Sequence, residues 1–90
     1  MTFGRAQIVR SLAGHDKGEL LCVLDVDGDF LLLADGKHRR VAAPKRKRAR
    51  HVELAGQSRH PAIEKVRTGQ PVRDRELRGA LAALRDELEV

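Results

Sequence analysis

The chain has 90 residues, of which 41% are hydrophobic, and a single cysteine, so it can form one modest core and no intramolecular disulfide. Two phenylalanines are its only aromatic residues, which excludes a broad platform of stacked aromatic side chains for single-stranded bases. The formal net charge of +5 favours a polyanionic partner.

The first half of the chain predicts short strands joined by tight turns. Apolar and β-branched residues favour strands at Ala6–Leu12, Leu20–Val26 and Phe30–Ala34. The pairs Asp27-Gly28 and Asp35-Gly36 follow two of these runs, and Asp-Gly is typical of the tight turn of a β-hairpin.

Two further short strands are predicted at Val41–Ala43 and His51–Leu54. Five short strands within about 50 residues indicate a small curled antiparallel sheet. The predicted fold class is therefore mainly β, a small curled sheet or barrel of about five antiparallel strands with a helical C-terminal tail.

The hairpin around Asp27-Gly28 has a predicted register. A two-residue turn there would pair Val23 with Leu32 and Leu24 with Leu31. Both faces would then be mostly apolar, with Cys22, Leu24, Leu31 and Leu33 on one face and Leu21, Val23, Phe30 and Leu32 on the other. Because a sheet with one wet face would alternate polar and apolar residues, a further element must cover the second face.

The second half of the chain predicts helices that could supply this cover. Pro61 can open a short helical turn over Ala62–Thr68, and an amphipathic helix is predicted over Asp74–Glu89. Its apolar stripe consists of Leu77, Leu81, Leu84 and Leu88. These leucines are expected to pack on the barrel or on a partner. The predicted organisation is a barrel with a basic loop over residues 1–55, followed by a linker and the amphipathic helix over residues 56–90.

The basic residues are concentrated in one segment. Between Gly36 and Val52 the sequence has eight lysines or arginines and no acidic residue. Such a run is either a solvated surface or a site for a polyanion, and its position between predicted strands favours a loop that contacts RNA phosphates. The predicted contacts from this segment are Lys37, Arg39, Arg40, Lys45, Arg46, Lys47, Arg48 and Arg50.

The stretch IVRSLAGHDKGELLCVLDVDGDFLLLADGKHRRV resembles the KOW motif of ribosomal proteins and transcription elongation factors. It is most similar to the large-subunit KOW proteins of the archaeal and eukaryotic kind and to related short bacterial RNA-binding proteins. The resemblance implies an SH3-like barrel without catalysis that binds RNA through its loops and basic segment. It gives a strand over Gln7–Leu12, a loop over Ala13–Lys17 and Gly18 as the turn glycine. We expect the segment from Gly14 to Gly18 to present backbone groups and Lys17 to the RNA.

Other chemistries fit the sequence poorly. Gly14 and Gly18 lack the spacing and the following Ser or Thr of a phosphate-binding P-loop, and Asp25–Asp29 lacks the terminal Glu of a calcium loop. The four histidines have no short ligand spacing, and Cys22 lies between leucines. We therefore expect no catalytic residue, no metal site, no cofactor and no small-molecule substrate.

The expected function is binding of structured ribosomal RNA, as a ribosomal protein or a ribosome-associated factor that also contacts ribosomal proteins. The alternative is a KOW protein-interaction module of the transcription or translation machinery. The longest uncharged apolar run, Leu20–Leu24, is far shorter than the roughly 20 residues of a membrane span, and no signal peptide is evident. A cytoplasmic protein without membrane contact is expected.

Overall fold

The fold is built on one antiparallel sheet with two helices packed against it, and the computed structural model describes residues 2–89. The sheet has five strands in the order β4-β3-β2-β1-β5. The strands are β1 (Ile8–Ser11), β2 (Leu20–Asp27), β3 (Phe30–Ala34), β4 (Lys45–Arg48) and β5 (Val52–Gly56), and a 3₁₀ turn over Ala49–His51 connects the last two. The predicted fold class, a small barrel-like β-sheet with a helical C-terminal tail, is confirmed.

The fourth strand differs from the prediction. It consists of the basic residues of β4, whereas residues 41–43 form a turn. This turn is fixed because Val41 N donates to Asp74 Oδ1 at 2.7 Å and Ala43 N donates to Arg40 O at 3.0 Å. The predicted basic loop is thus incorrect from residue 45 to residue 48. On this edge strand Arg46 and Arg48 can extend their charged ends into water.

The β2–β3 hairpin has a different register from the predicted one. Asp27 pairs with Phe30, so the turn residues are Gly28 and Asp29, and Gly28 has a φ of +60°. A β-bulge at Leu24 then shifts the pairing between the two strands. Because strand side chains alternate between faces, the extra residue in β2 changes which residues of β2 and β3 share a face on either side of the bulge.

Two hydrophobic clusters lie on opposite faces of the sheet. The inner cluster consists of Val9, Leu21, Val23, Leu31, Leu33 and Val52. On the other face, strand residues that include Ile8, Leu20, Cys22 and Ala34 pack against the helices. The predicted faces were therefore wrong for Leu31 and Leu33, which join Leu21 and Val23 and not Cys22.

The second cluster is covered by α1 (Pro61–Arg67) and α2 (Asp74–Leu88). His60 caps α1, because its Nδ1 accepts a hydrogen bond from Ala62 N at 3.1 Å. The stripe residues Leu77, Leu81 and Leu84 of α2 are buried in this cluster. The last leucine of the stripe, Leu88, is 44% exposed. The leucine stripe is therefore largely an intramolecular core element.

The loop after β3 packs on the first turn of α2. Gly36 has a φ of +79°, and a side chain there would collide with the backbone of Asp74. The carboxylate of Asp35 accepts hydrogen bonds at 2.8 Å from the backbone N–H groups of Lys37 and Arg39. Loop and helix are thereby fixed to each other. Within residues 2–89, neither helix has the length and hydrophobicity needed to cross a membrane.

Candidate nucleic-acid interface

The basic strand β4 presents two different faces. Lys45 and Lys47 pair with Leu33 and Leu31 of the inner cluster, whereas Arg46 and Arg48 alternate with them and are exposed. The sequence KRKR thus places its two lysines towards the barrel interior and its two arginines towards solvent.

The two outward arginines of β4 lie against an aromatic ring. The guanidinium carbons of Arg46 and Arg48 lie 3.7 Å and 4.7 Å from the ring centroid of Phe30, which pairs with Arg48 across the strands. Cation–π attraction holds both guanidinium groups on this half-buried ring. Arg46 also forms an exposed ion pair with Asp27, with 3.3 Å between Nη2 and Oδ2. Two arginines are therefore pre-positioned on the outer surface of the sheet.

Lys47 does not reach the surface. Its side chain is only 8% exposed, and its Nζ donates to Ser11 Oγ at 2.8 Å, Ala13 O at 2.5 Å and Asp16 Oδ1 at 3.1 Å. All three ammonium protons therefore have acceptors within the protein. The expectation that Lys47 contacts phosphate is corrected, because its ammonium group holds the loop after β1 in place.

Asp16 is the common partner of three elements. Its Oδ1 accepts from Lys47 of β4, and its Oδ2 lies 3.7 Å from Nε of Arg39 in the loop after β3. Burial acts to raise the pKa of Asp16, but the hydrogen bond and charge of Lys47, with a hydrogen bond from Ser11, lower the pKa below its ordinary value overall. The carboxylate is thus held ionised where β4 and the two loops meet.

The loop between β1 and β2 is a tight turn with two glycines in left-handed conformations. Gly14 and Gly18 have φ values of +85° and +88°, which favour glycine. Gly18 N donates to Ser11 O at 2.8 Å, and the carbonyl of Gly18 accepts from Arg10 Nη1 at 2.8 Å. Lys17 is exposed at the tip of this turn. The turn therefore presents one lysine on a backbone that is held by two hydrogen bonds to β1.

The remaining predicted cations lie around β4 and in the loop after β3. Lys37 and Arg40 are exposed in that loop, Arg39 is partly buried beside Asp16, Lys45 is partly buried, and Arg50 is exposed in the 3₁₀ turn. The exposed members of the predicted set are Lys17, Lys37, Arg40, Arg46, Arg48 and Arg50. These six are the candidate contacts, but Lys37 borders a separate groove with Arg78 and Arg85 of α2, and only Arg46 and Arg48 share the ring of Phe30. Lys47 lies outside this set.

Sequence reasoning missed the residues that organise this interface. Ser11 and Phe30 were assigned only to predicted strands, and Asp16 only to the loop before Gly18. Phe30 could have been found by its position opposite the basic run in a pair of strands. That step requires the basic run to be recognised as a strand. The signal for Asp16 was weaker, because a carboxylate 31 residues from its lysine is brought to it only by the fold.

The thiol of Cys22 is not available for chemistry at neutral pH. Burial raises the pKa of Cys22 to about 12, although the charge of Arg67 lowers it slightly. Because the thiolate is the reactive form, this cysteine is a core residue.

No family model matches the chain, and no curated protein matches it by sequence similarity. Strand-held guanidinium groups can each donate two parallel hydrogen bonds to a phosphate, and the exposed lysines can add point charges. This arrangement is suited to the backbone of a nucleic acid.

Proposed function

We propose that the protein is a non-catalytic RNA-binding protein that binds structured ribosomal RNA, as a component of the ribosome or a factor associated with it. The observation that carries the proposal is the outer face of β4, where Arg46 and Arg48 lie on the ring of Phe30. Arginines restrained in this way lose less side-chain entropy when they bind phosphate, which favours binding.

Other exposed lysines and arginines of the predicted set would extend the proposed contact area. Lys17, Lys37, Arg40 and Arg50 would neutralise further phosphates, with partly buried Arg39 and Lys45 adding to the positive potential. The resemblance to the KOW motif supports the same function, with Gly14 and Gly18 shaping the loop that meets the RNA. A protein bound to ribosomal RNA would act in the cytoplasm, and we propose that location for this one.

Phosphate contact can be tested by fluorescence anisotropy with a labelled hairpin RNA over a series of salt concentrations. Replacing Arg46 and Arg48 by alanine removes two phosphate donors, so the slope of log K against log salt should become shallower by about 1.4 to 1.8. The matched control replaces Arg59 and Arg75, two exposed arginines outside the basic segment, and should leave the slope close to that of the wild type. Equal slopes for the two double variants would contradict the proposal.

Nuclease treatment distinguishes RNA binding from the alternative, a protein-interaction module. If RNA holds the protein in its complex, treating a cell extract with ribonuclease should release the tagged protein into the light fractions of a gradient. Retention in the heavy fractions after complete digestion of the RNA would favour a protein partner.

A further inference from the structure

The groove between the loop after β3 and α2 is lined by three cations. It has a volume of about 430 Å³, and Lys37 borders it from the loop while Arg78 and Arg85 border it from the helix. All three residues are exposed. The two arginines lie outside the basic segment of the sequence, so this groove is a cationic surface that the charge run does not reveal.

The loop and the helix are close enough for these cations to meet one ligand. A Cβ atom on Gly36 would lie 2.9 Å from Arg78 N. Because neighbouring Cα atoms are 3.8 Å apart, the Cα atoms of Lys37 and Arg78 lie within about 10 Å of each other. Arg85 follows two helical turns after Arg78, so the two arginines lie on the same side of α2, roughly 10 Å apart along its axis. The groove therefore places three long cationic side chains within reach of one polyanionic backbone.

The carboxylates beside the groove leave these cations available. Asp35 Oδ1 already accepts hydrogen bonds at 2.8 Å from two backbone N–H groups of its own loop. Glu19 Oε2 lies 3.9 Å from Arg85 Nη2, and this exposed ion pair is weak enough for a phosphate to replace it. Among residues 2–89, Lys37 and Arg78 form no ion pair.

The groove offers little apolar surface to a protein partner. Of the described residues that line it, Leu81 has the one large apolar side chain, and it is 2% exposed. Because protein interfaces depend on a few large anchors that become buried on binding, this groove favours a polyanion over a protein.

The groove and the arginines of β4 lie at opposite ends of β3. The guanidinium groups of Arg46 and Arg48 lie on Phe30, which begins the strand, whereas the loop that carries Lys37 follows Ala34, which ends it. Four residues of strand span about 13 Å. The two cationic surfaces are therefore separate.

We propose that the groove between the loop after β3 and α2 binds a second segment of RNA backbone, so that the protein bridges two segments of a folded RNA. Lys37, Arg78 and Arg85 neutralise phosphates of one segment. Arg46 and Arg48 neutralise those of the other. The inference rests on the proposed function and adds a second contact surface to it.

The test counts the short hairpin RNAs that one full-length protein holds, by sedimentation equilibrium at low salt with the RNA in excess. The wild type should hold two. Arg78→Ala/Arg85→Ala and Arg46→Ala/Arg48→Ala should each hold one, because each variant loses one surface, and the quadruple variant should hold none. Alanine is a better helix former than arginine, so the substitutions in α2 should leave the protein folded.

The matched control, Arg59→Ala/Arg75→Ala, removes the same charge and should still hold two hairpins. Neither residue is among the described residues that line the groove, although Arg75 belongs to the same helix. One hairpin on the wild type, or two on Arg78→Ala/Arg85→Ala, would overturn the inference. In either case, loss of a hairpin from Arg46→Ala/Arg48→Ala would leave the proposed function intact. Failure of the wild type to bind any hairpin would overturn both.

Discussion

At the scale of single residues, the cluster around Lys47 decides whether the turn after β1 stays in place. The side chains of Lys47 and Asp16 are 8% and 11% exposed, so neither charge is well solvated. Removing one member of a buried pair leaves the other charge uncompensated, which is costly. The ion pairs on the outer surface, such as Arg46 with Asp27, contribute little to stability by comparison.

Asp16→Asn should therefore destabilise the protein by about 3 kcal/mol, because it removes the carboxylate partner of the buried Lys47. Urea denaturation followed by circular dichroism measures this loss as a lower midpoint at unchanged slope. The double variant Asp16→Asn/Lys47→Met should be more stable than the single one, since it removes both charges. A midpoint for Asp16→Asn equal to that of the wild type would show that the pair has no structural role.

The same pair predicts a pH dependence. Because the pKa of Asp16 is lowered in the folded protein, its stabilising contribution is complete above the unfolded-state pKa of about 3.9 and is lost as pH falls through the lower, folded value. The difference in unfolding free energy between the wild type and Asp16→Asn should thus be constant from pH 5 to pH 7 and shrink below about pH 4. Denaturation curves at pH 7 and pH 3 test this, and a constant difference at both would contradict it.

At the scale of elements, α2 serves as the cover of the sheet and not as a free helix. Leu81 is 2% exposed and Leu88 is 44% exposed, although both belong to the same stripe. Leu81→Ala should cost about 3 kcal/mol of unfolding free energy by leaving a cavity, whereas Leu88→Ala should cost less than about 0.5 kcal/mol. Thermal melts of the two variants give the comparison. Equal losses would mean that Leu88 is covered in solution, for example by a partner.

Most strands and both helices could be predicted from the sequence, but the bulge in β2 and the strand β4 could not. The strands β1, β2, β3 and β5 and both helices follow from local pattern, within a residue or two at their ends. The bulge at Leu24 could not be read from the sequence, because apolar residues on both sides fit either register. Strand β4 was missed because its charge density suggested a loop, although its lysines and arginines alternate as a strand requires.

At the scale of the whole molecule, the alternation in β4 places residues that stabilise the fold on one face of the strand and residues proposed to bind RNA on the other. Lys47 points into the barrel and is held by Ser11, Ala13 and Asp16, whereas Arg48 points outward over Phe30. Neighbouring residues of the same charge therefore have different roles. The uniform appearance of the basic run in the sequence hides this division.

The division predicts opposite effects of two substitutions in the same strand. Lys47→Met should lower the free energy of unfolding while changing RNA affinity by no more than about threefold, since its buried charge is already neutralised by Asp16 and distant phosphates are screened by salt. Arg48→Ala should lower RNA affinity more strongly and leave the unfolding free energy within about 0.5 kcal/mol of the wild type. Urea denaturation and RNA anisotropy on both variants give the four values. If Lys47→Met weakens RNA binding as much as Arg48→Ala at a temperature where both are folded, the buried ammonium must leave its cluster to meet the RNA, and β4 would have to rearrange on binding.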